Sequence, residues 1–291
     1  MNVRTAEAAP RGSLRVRERE FAWGARTYLV GIVNATPDSF SGDGRPRADD
    51  AIAHGLGLLE AGADLLDLGA ESTRPGYRPI DEDEELRRLL PVVRGLRARA
   101  PQAVLSIDTF KPAIFATAHE AGGDLLNSIW GIEDGRLLAL AAERRAPLVI
   151  MHNKRVPIYE RDVVDEVLAS LEAQALRAVA AGLAPSSVIL DPGIGFGKLA
   201  EHNLALLAQL ERLVALGFPT LVGTSRKSTL GKLTGKPVGE RAFATAATVA
   251  LAIAAKIDLV RVHDVAEMRD VVAVADAIVR GRRPSDWSDI P

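Results

Sequence analysis

Short apolar runs alternate along this chain with longer segments whose apolar residues recur every three or four positions. Buried parallel strands give runs of the first kind, and amphipathic helices give segments of the second. Eight such βα units favour a closed barrel over an open sheet, so the pattern predicts an α/β protein with a (β/α)8 TIM barrel. The predicted strands are Leu29–Val33, Asp64–Leu68, Ala103–Ile107, Asp124–Leu126, Pro147–Met151, Ser187–Leu190, Thr220–Gly223 and Asp258–Val262.

The segment before the first barrel strand alternates apolar and polar residues in Leu14–Arg17 and again within Phe21–Leu29. This alternation predicts a short N-terminal β-hairpin, which we expect to close the bottom of the barrel. No linker, low-complexity tract or short repeat interrupts the chain. The sequence therefore predicts one domain over residues 14–280, between a flexible N-terminus 1–13 and a loose C-terminal tail 281–291.

Two segments with unusual composition are interpreted as parts of helices. The acidic run Asp81–Glu85 precedes Leu86–Arg99, where negative charge suits the positive end of a helix dipole, so we interpret it as structural. The most apolar window, Ala244–Ala255, is shorter than the ~20 residues of a membrane-spanning helix and is interpreted as a buried helix.

Composition narrows the function classes. The 291 residues are 47% hydrophobic and 25% charged, which is typical of a globular protein with a large core. The net charge of −2 argues against binding nucleic acid or an anionic membrane as the main role. The absence of cysteine excludes disulfides and thiolate chemistry. We expect a cytoplasmic protein, because the N-terminal residues lack the apolar core of a secretion signal.

Polar residues follow every predicted strand. In this fold the carboxyl ends of the strands converge on one face, and catalytic groups come from there. Each strand delivers at least one hydrogen-bonding or charged residue to this mouth: Asn34, Asp67 with Glu71, Asp108, Asn127, His152, Asp191, Arg226 with Lys227, and Arg261 with His263.

The loops after these strands carry further signals. Asn34–Gly44 and Glu71–Gly76 are rich in hydroxyl, carboxylate and glycine residues and are interpreted as mobile lids. Asp191–Lys198 has three glycines at a spacing of two, which lets its backbone approach a ligand closely. Thr224–Ser228 and Arg261–Asp264 follow strands seven and eight, the habitual phosphate site of such barrels, so we expect an anion there, most readily a diphosphate.

Each of these residues also has a purely structural interpretation. Asp67 could equally satisfy backbone donors, and Asp108 and Asp191 could be buried helix N-caps. We expect His152 to orient a neighbour and not to bind metal. The remaining candidates are assigned to packing or to the surface: His54, His119, His202, Trp23, Tyr28 and Trp130.

Taken together, the motifs resemble the dihydropteroate synthase family over about Leu29–Val279. The segments that carry the resemblance are Gly31–Ser41, Glu71–Gly76, Ser106–Thr109, Met151–Asn153, Asp191–Lys198, Ser225–Ser228 and Arg261–Asp264. The resemblance implies condensation of 6-hydroxymethyl-7,8-dihydropterin diphosphate with p-aminobenzoate in folate biosynthesis, in a homodimer that uses Mg²⁺ and no other cofactor.

The resemblance also implies roles for individual residues. It implies that the pterin is bound by Asp108, Asn127, Ile129, Asp191, Phe196 and Lys227. It implies that the diphosphate is bound by Asn34, Arg261 and His263, with Asn34 also on Mg²⁺. It implies that p-aminobenzoate is bound by Phe40, Thr73, Arg74, Pro75 and Ser228, and that Asp38, Arg74 and Lys227 act in catalysis.

Two positions depart from the family pattern. This chain has Asn127-Ser128 where the family has Asn-Asp, and Ser41-Gly42-Asp43-Gly44 where it has Ser-Asp-Gly-Gly. We expect the second change to affect the aromatic-amine subsite and its response to sulfonamides.

Two other functions stay open at this stage. A pterin-dependent methyltransferase domain would share the pterin pocket but would need neither the diphosphate site nor the Ser72–Gly76 loop. A non-catalytic pterin-binding paralogue would keep the pocket without the reaction. Release of diphosphate that depends on the amine would separate the synthase from both.

Overall fold

The computed structural model describes residues 11–35, 48–71, 79–283 and Trp287. The strands of the described residues are β1 (Ser13–Val16), β2 (Arg19–Ala22), β3 (Tyr28–Asn34), β4 (Leu65–Gly69), β5 (Leu105–Asp108), β6 (Leu125–Ser128), β7 (Leu148–Met151), β8 (Val188–Asp191), β9 (Leu221–Val222) and β10 (Leu259–Val262). Eight of them are parallel and form one sheet in the order β8-β7-β6-β5-β4-β3-β10-β9.

Helices follow the barrel strands in the described part of the chain. They are α1 (Ala48–Glu60), α2 (Glu82–Arg99), α3 (Pro112–Glu120), α4 (Gly135–Glu143), α5 (Val163–Ala180), α6 (Ala200–Leu207), α7 (Leu210–Val214), α8 (Ser228–Thr234), α9 (Ala242–Ala254) and α10 (Val265–Val279). Asp81 caps α2, because its Oδ1 accepts from the Glu84 backbone N–H at 2.8 Å. The acidic run therefore has the structural role that the sequence predicts.

The sheet closes on itself through β3, β10 and the short β9. Strand β10 pairs with β3 on one side and with β9 on the other. The remaining seam, between β8 and β9, is a bridge of Leu190 with Thr220, and the Leu190 N–H donates to the Pro219 carbonyl at 2.8 Å. All eight predicted strands are present, so the predicted TIM barrel is confirmed.

The N-terminal hairpin of β1 and β2 plugs the amino-terminal end of the barrel. Phe21 stacks on Trp23 with ring centroids 5.6 Å apart, and Tyr28 packs against both rings. The predicted second strand, Phe21–Leu29, is wrong in length: β2 ends at Ala22, Gly24 adopts a positive φ of 84°, and Tyr28 already belongs to the barrel. Residues 1–10 of the predicted flexible N-terminus, and residues 284–286 and 288–291 of the predicted tail, lie outside the described residues.

Inward-facing side chains form two layers of opposite character, because alternate residues of a strand point to the same side. The floor layer is apolar and packs on the hairpin: Val30, Leu65, Val104, Leu125, Val149, Ile189, Leu221 and Leu259. Two residues further along each strand lies the upper layer: Ile32, Asp67, Ser106, Asn127, Met151, Asp191, Gly223 and Arg261. The barrel interior thus changes within one layer from apolar residues only to a set in which five of the eight residues are polar or charged.

Helix α9 corrects one expectation from the sequence. The apolar window forms a helix, but it is not buried all round: the Phe243 side chain is 88% exposed, and Leu251 is also exposed. An apolar window identifies helix length well but cannot say which of its faces meets the barrel. Among the residues that the structure describes, no helix combines the length and apolar character needed to cross a membrane.

Candidate active site

Four side chains from different strands meet across the mouth of the barrel. Asp67 on β4 accepts two hydrogen bonds through Oδ2, from Asn127 Nδ2 at 2.9 Å and from Arg261 Nε at 2.6 Å. Arg261 Nη2 donates in turn to Asp108 Oδ2 at 3.1 Å. The structure therefore brings the predicted site residues Asp108, Asn127 and Arg261 together and adds Asp67 as the group that joins them.

Two carboxyl groups at the mouth, one in this cluster and one on β8, have raised pKa values. Burial raises the pKa of Asp191 to about 6, against the lowering effect of its hydrogen bond from the Gly193 N–H and of Lys227 nearby. Burial, and then the neighbouring Asp67 carboxylate, raise the pKa of Asp108. Displaced carboxyl pKa values in a concave site are typical of functional residues.

Asp191 and the glycine-rich loop after it shape one wall. Asp191 Oδ1 accepts from the Gly193 N–H at 2.7 Å in the loop after β8, and the next helix begins only at Ala200, so Asp191 is not a helix N-cap. Gly193 has φ +70°, and a Cβ there would lie 2.0 Å from the His152 carbonyl oxygen. Only glycine lets this loop lie so close to the β7 end.

Phe196 and Lys227 form a contact between two loops. The Lys227 ammonium lies 3.8 Å from the centroid of the Phe196 ring, within the range of a cation–π interaction. Lys227 is the residue that precedes α8, and Ser228 follows it as an exposed first residue of that helix. Lys227, which the resemblance assigns to the pterin together with Phe196, thus directly precedes Ser228, the position assigned to the amine.

Lys198 holds the glycine-rich loop on His152. Its Nζ lies 3.1 Å from His152 Nδ1 and donates to the carbonyls of His152 and Phe196 at 3.2 and 3.0 Å. Burial lowers the pKa of Lys198 to about 7, and burial together with Lys198 lowers the pKa of His152 to about 3. His152 therefore orients a neighbour, as predicted.

The loops after β9 and β10 are tied together by polar side chains. Ser225 Oγ lies 2.9 Å from His263 Nδ1 and accepts from the His263 N–H at 3.1 Å. Arg226, which the sequence places among the mouth residues, has a positive φ of 59° and is ion-paired with Asp264. Its guanidinium therefore joins the two loops, a role that the sequence pattern does not indicate.

Glu71, the other acidic residue predicted near the mouth, is part of a structural cluster. Lys111 Nζ lies 2.9 Å from Glu71 Oε2 and donates to Glu85 Oε2 at 2.7 Å. Glu71 Oε1 accepts from the Ile80 N–H at 3.1 Å. The cluster joins both ends of the segment 72–78 to α2 and the β5 loop.

The remaining assigned positions are distributed as follows. Asn34 is the last residue of β3 and is partly exposed, while Ile129 is buried just after β6. Ser128, where the family pattern has Asp, is fully buried, and its Oγ donates to the Gly131 carbonyl at 2.6 Å. Ser128 therefore closes a local turn. Asp38, Phe40, Asp43, Thr73, Arg74 and Pro75 lie outside the described residues.

Four of the six residues assigned to packing or to the surface pack against other rings, Trp23 and Tyr28 among them. His119 packs edge-on to Phe115, and His202 packs edge-on to Tyr159. Sequence reasoning underestimates Asp67 and Lys198. Asp67 interrupts an apolar strand and Lys198 ends a glycine-rich loop, but neither signal says which side chains they meet.

Comparison with known proteins gives consistent matches. Residues 30–263 match the model of a family described as pterin binding enzyme. The dihydropteroate synthase of Clostridium beijerinckii is 41% identical over 270 residues, which is 92% of this chain and 100% of that protein. The enzyme of Synechocystis is 42% identical over 276 residues, 92% of this chain and 95% of that protein.

Solved structures agree with the sequence matches. Dihydropteroate synthase from Xanthomonas albilineans in complex with 7,8-dihydropteroate superposes with a TM-score of 0.84 at 39% identity, over 94% of this chain and 100% of that one. The same enzyme with 4-aminobenzoic acid gives a TM-score of 0.87 at 40% identity, over 94% and 99% of the two chains.

Proposed function

We infer, from the premise that the chain belongs to the family of pterin-binding enzymes, that it catalyses the dihydropteroate synthase reaction. The reaction joins 6-hydroxymethyl-7,8-dihydropterin diphosphate to p-aminobenzoate and releases 7,8-dihydropteroate and diphosphate. The observation that carries this inference is the hydrogen-bonded cluster at the barrel mouth, formed by Asp67, Asp108, Asn127 and Arg261. The cluster lies in a chain that is 39–42% identical to dihydropteroate synthases over nearly its whole length.

The upper layer of the barrel suits the pterin. An aminopterin presents N–H donors and a carbonyl along one edge, and carboxylates accept from such donors while an ammonium or an amide satisfies the acceptors. Asp108, Asn127 and Asp191 lie on β5, β6 and β8 with Lys227 close by, so they can reach a single flat ring. Ile129 and Phe196 supply apolar contacts to its faces.

The diphosphate is assigned to the neighbouring cations. Arg261 lies in β10 and His263 directly follows the strand, where Ser225 contacts the His263 ring. Cations at this end of a barrel attract phosphate groups. Asn34 suits Mg²⁺ on the same diphosphate, because magnesium usually takes few protein ligands and fills its shell with phosphate oxygens and water. Bound there, Mg²⁺ would neutralise charge on the diphosphate oxygens.

The chemistry then follows from charge. The bond between the pterin methylene carbon and the diphosphate oxygen breaks, and the diphosphate leaves with the electron pair, stabilised by Arg261 and His263. The amine nitrogen attacks the methylene carbon to form the new C–N bond, and its proton passes to the released diphosphate or to water. Asp38 is proposed to stabilise the cationic pterin. The amine is proposed to bind Phe40, Thr73, Arg74, Pro75 and Ser228.

Release of diphosphate tests the function directly. We expect purified protein with Mg²⁺ to release diphosphate from the dihydropterin diphosphate only when p-aminobenzoate is present, and to form dihydropteroate in equal amount. Pterin binding without this release would indicate a non-catalytic paralogue or a methyltransferase domain.

We also propose that the enzyme is a homodimer. The supporting observation is that two neighbouring helices, α9 and α10, expose large apolar side chains: Phe243, Leu251, Val274 and Ile278. Exposed apolar patches of this kind mark protein interfaces more often than free surface. The cytoplasm stays the predicted compartment, and cell fractionation would test it.

A further inference from the structure

Asp67 is an acidic residue in the middle of a buried strand. It lies between Leu66 and Leu68, which point to the helices, and its own side chain points into the barrel, 1% exposed. The structural interpretation for such a residue is that it satisfies backbone donors. The hydrogen bonds given by the structure are instead with two side chains, Asn127 and Arg261.

The contact with Asn127 fixes the orientation of its amide. A carboxylate only accepts hydrogen bonds, so the end of the Asn127 amide directed at Asp67 must be the Nδ2 group. The Oδ1 atom and the second Nδ2 hydrogen then face away from Asp67 in a fixed order. If the amide turned over, its donor and acceptor would exchange places, and the match to a pterin edge would be lost.

The contact with Arg261 fixes the guanidinium plane. Arg261 Nε donates to Asp67 at 2.6 Å and Nη2 donates to Asp108 at 3.1 Å, so two edges of the planar group are held by carboxylates on adjacent strands. Because these contacts already fix the Arg261 side chain, binding of an anion costs little additional side-chain conformational entropy.

We propose that Asp67 is a positioning residue for both halves of the substrate, which it serves through Asn127 for the pterin and through Arg261 for the diphosphate. This inference rests on the proposed function. A further observation distinguishes this role of Asp67 from that of a purely structural ion pair. Its Oδ1 atom is buried and has no hydrogen-bond partner among the described residues. An unpaired buried acceptor lowers stability, and such costs are characteristic of functional sites.

The test is a double-mutant cycle on ligand binding. Asp67→Asn keeps the volume, but its amide can donate to Asn127, which lets the Asn127 amide turn over. We expect Asp67→Asn to weaken binding of 6-hydroxymethylpterin about tenfold or more in calorimetry, a loss comparable to one buried hydrogen bond. In an Asn127→Ala background the same change should weaken it less than about threefold, since positioned residues are coupled.

The second arm uses Mg²⁺ and inorganic diphosphate as the probe. Asp67→Asn should weaken its binding in the wild-type background and change it little in an Arg261→Ala background. The matched control is Asp124→Asn, which removes the negative charge and one of the two oxygens that accept from Arg17 and Arg97 at the opposite end of the barrel. This control should lower the unfolding temperature and leave the affinities for both probes unchanged.

Equal losses in the single and double backgrounds would overturn the proposal, because they would indicate a general structural effect of Asp67. Wild-type affinity of Asp67→Asn for both probes would overturn it as well. A wild-type protein that binds neither probe would instead contradict the proposed function, so the two failures are distinguishable.

Discussion

Asp191 is buried beside cations, yet its pKa is raised to about 6 because the loss of hydration outweighs the attraction of Lys227, Lys198 and Arg261. The buried Asp191 carboxylate has lost its hydrogen bonds to water, and N–H groups of a ligand can replace them. The raised pKa therefore has two measurable consequences, one for binding and one for stability.

Pterin binding should depend on pH. The carboxylate form of Asp191 accepts ligand N–H groups, and protonation removes one acceptor. We expect the affinity for 6-hydroxymethylpterin to be constant above about pH 7 and to fall by at least about tenfold per pH unit once the pH is well below 6. Calorimetric titrations between pH 4.5 and pH 8 would measure this. An affinity that stays flat across that range would mean that Asp191 does not accept from the pterin.

Stability should change in the opposite direction. Because the folded-state pKa of Asp191 is raised, the folded protein binds its proton more tightly than the unfolded chain. The resulting contribution to stability is fully present below the ordinary pKa of 3.8 and is lost as the pH rises through about 6. That pKa difference corresponds to a contribution of about 3 kcal/mol.

Asp191→Asn removes this dependence, since an amide is neutral at every pH. We expect the variant to have a higher free energy of unfolding than the wild type at pH 8, no such advantage near pH 4, and no measurable pterin affinity. Urea denaturation at the two pH values would check it. A variant less stable than the wild type at pH 8 would show that the cations around Asp191 need its charge.

At the scale of elements, the spacing of apolar residues along the sequence predicts this fold well. Every barrel strand is found within two residues of its predicted start, because parallel strands buried on both faces give continuous apolar runs. The residues at strand ends, Asp108, Asn127 and Arg261, can likewise be placed at one mouth from topology alone.

Contacts between side chains of distant strands are beyond such reasoning. The link from Asp67 to Arg261 spans 194 residues, and that from Lys198 to His152 spans 46. The partners of Arg226 and Glu71 are also invisible in the pattern, because a charge beside a strand end can point to a ligand or to another charge. The exposed side of α9 is missed for a related reason: the helix has no charged residue to mark its outer face, and its two polar residues, Thr245 and Thr248, are buried.

The glycine-rich loop offers a test of how one element shapes the site. We expect Gly193→Ala to destabilise the protein and to lower pterin affinity strongly, because its Cβ would lie 2.0 Å from the His152 carbonyl oxygen. A shift of this loop would also move the Gly193 N–H group, which donates a hydrogen bond to the Asp191 carboxylate. Thermal unfolding and pterin titration would measure both effects.

Gly217→Ala is the matched control. Gly217 has a similar positive φ of 81°, but an added Cβ would meet nothing within 4 Å. Backbone strain alone costs about 1–2 kcal/mol, so the control should lose stability without losing affinity. If the two variants behaved alike, close packing of the loop on β7 would not be what requires glycine at 193.

The whole molecule divides its polar groups between its two ends. At the bottom, around the hairpin, carboxylates are paired with arginines: Asp64 with Arg19 and Arg26, Asp124 with Arg17 and Arg97, and Asp258 with Arg11. At the mouth, Asp67 and Asp108 share Arg261, Asp264 is paired with Arg226, and Asp191 is buried close to Lys227 and Lys198. Both ends of the barrel therefore carry charged side chains, and the apolar floor layer lies between them.

The outer surface exposes large apolar side chains on the neighbouring helices α9 and α10. Phe243 and Ile278 are 88% and 78% exposed on two helices that pack side by side. Burying large apolar side chains contributes about 1.5–3 kcal/mol each, so this face favours association with a second copy of the chain. We expect light scattering to give about twice the 31.0 kDa mass of one chain.

Charge placed in that face should separate the subunits. Phe243→Glu combined with Ile278→Glu is expected to give a monomer, because the interface would bury unpaired carboxylates. Leu176→Glu is the matched control, since Leu176 is an apolar residue 58% exposed on α5, away from this face. The control should keep the mass of the wild type. Because the mouth residues lie inside one barrel, the monomeric variant should still bind 6-hydroxymethylpterin. A wild-type protein that runs as a monomer, or a double variant that stays dimeric, would show that α9 and α10 do not form the interface.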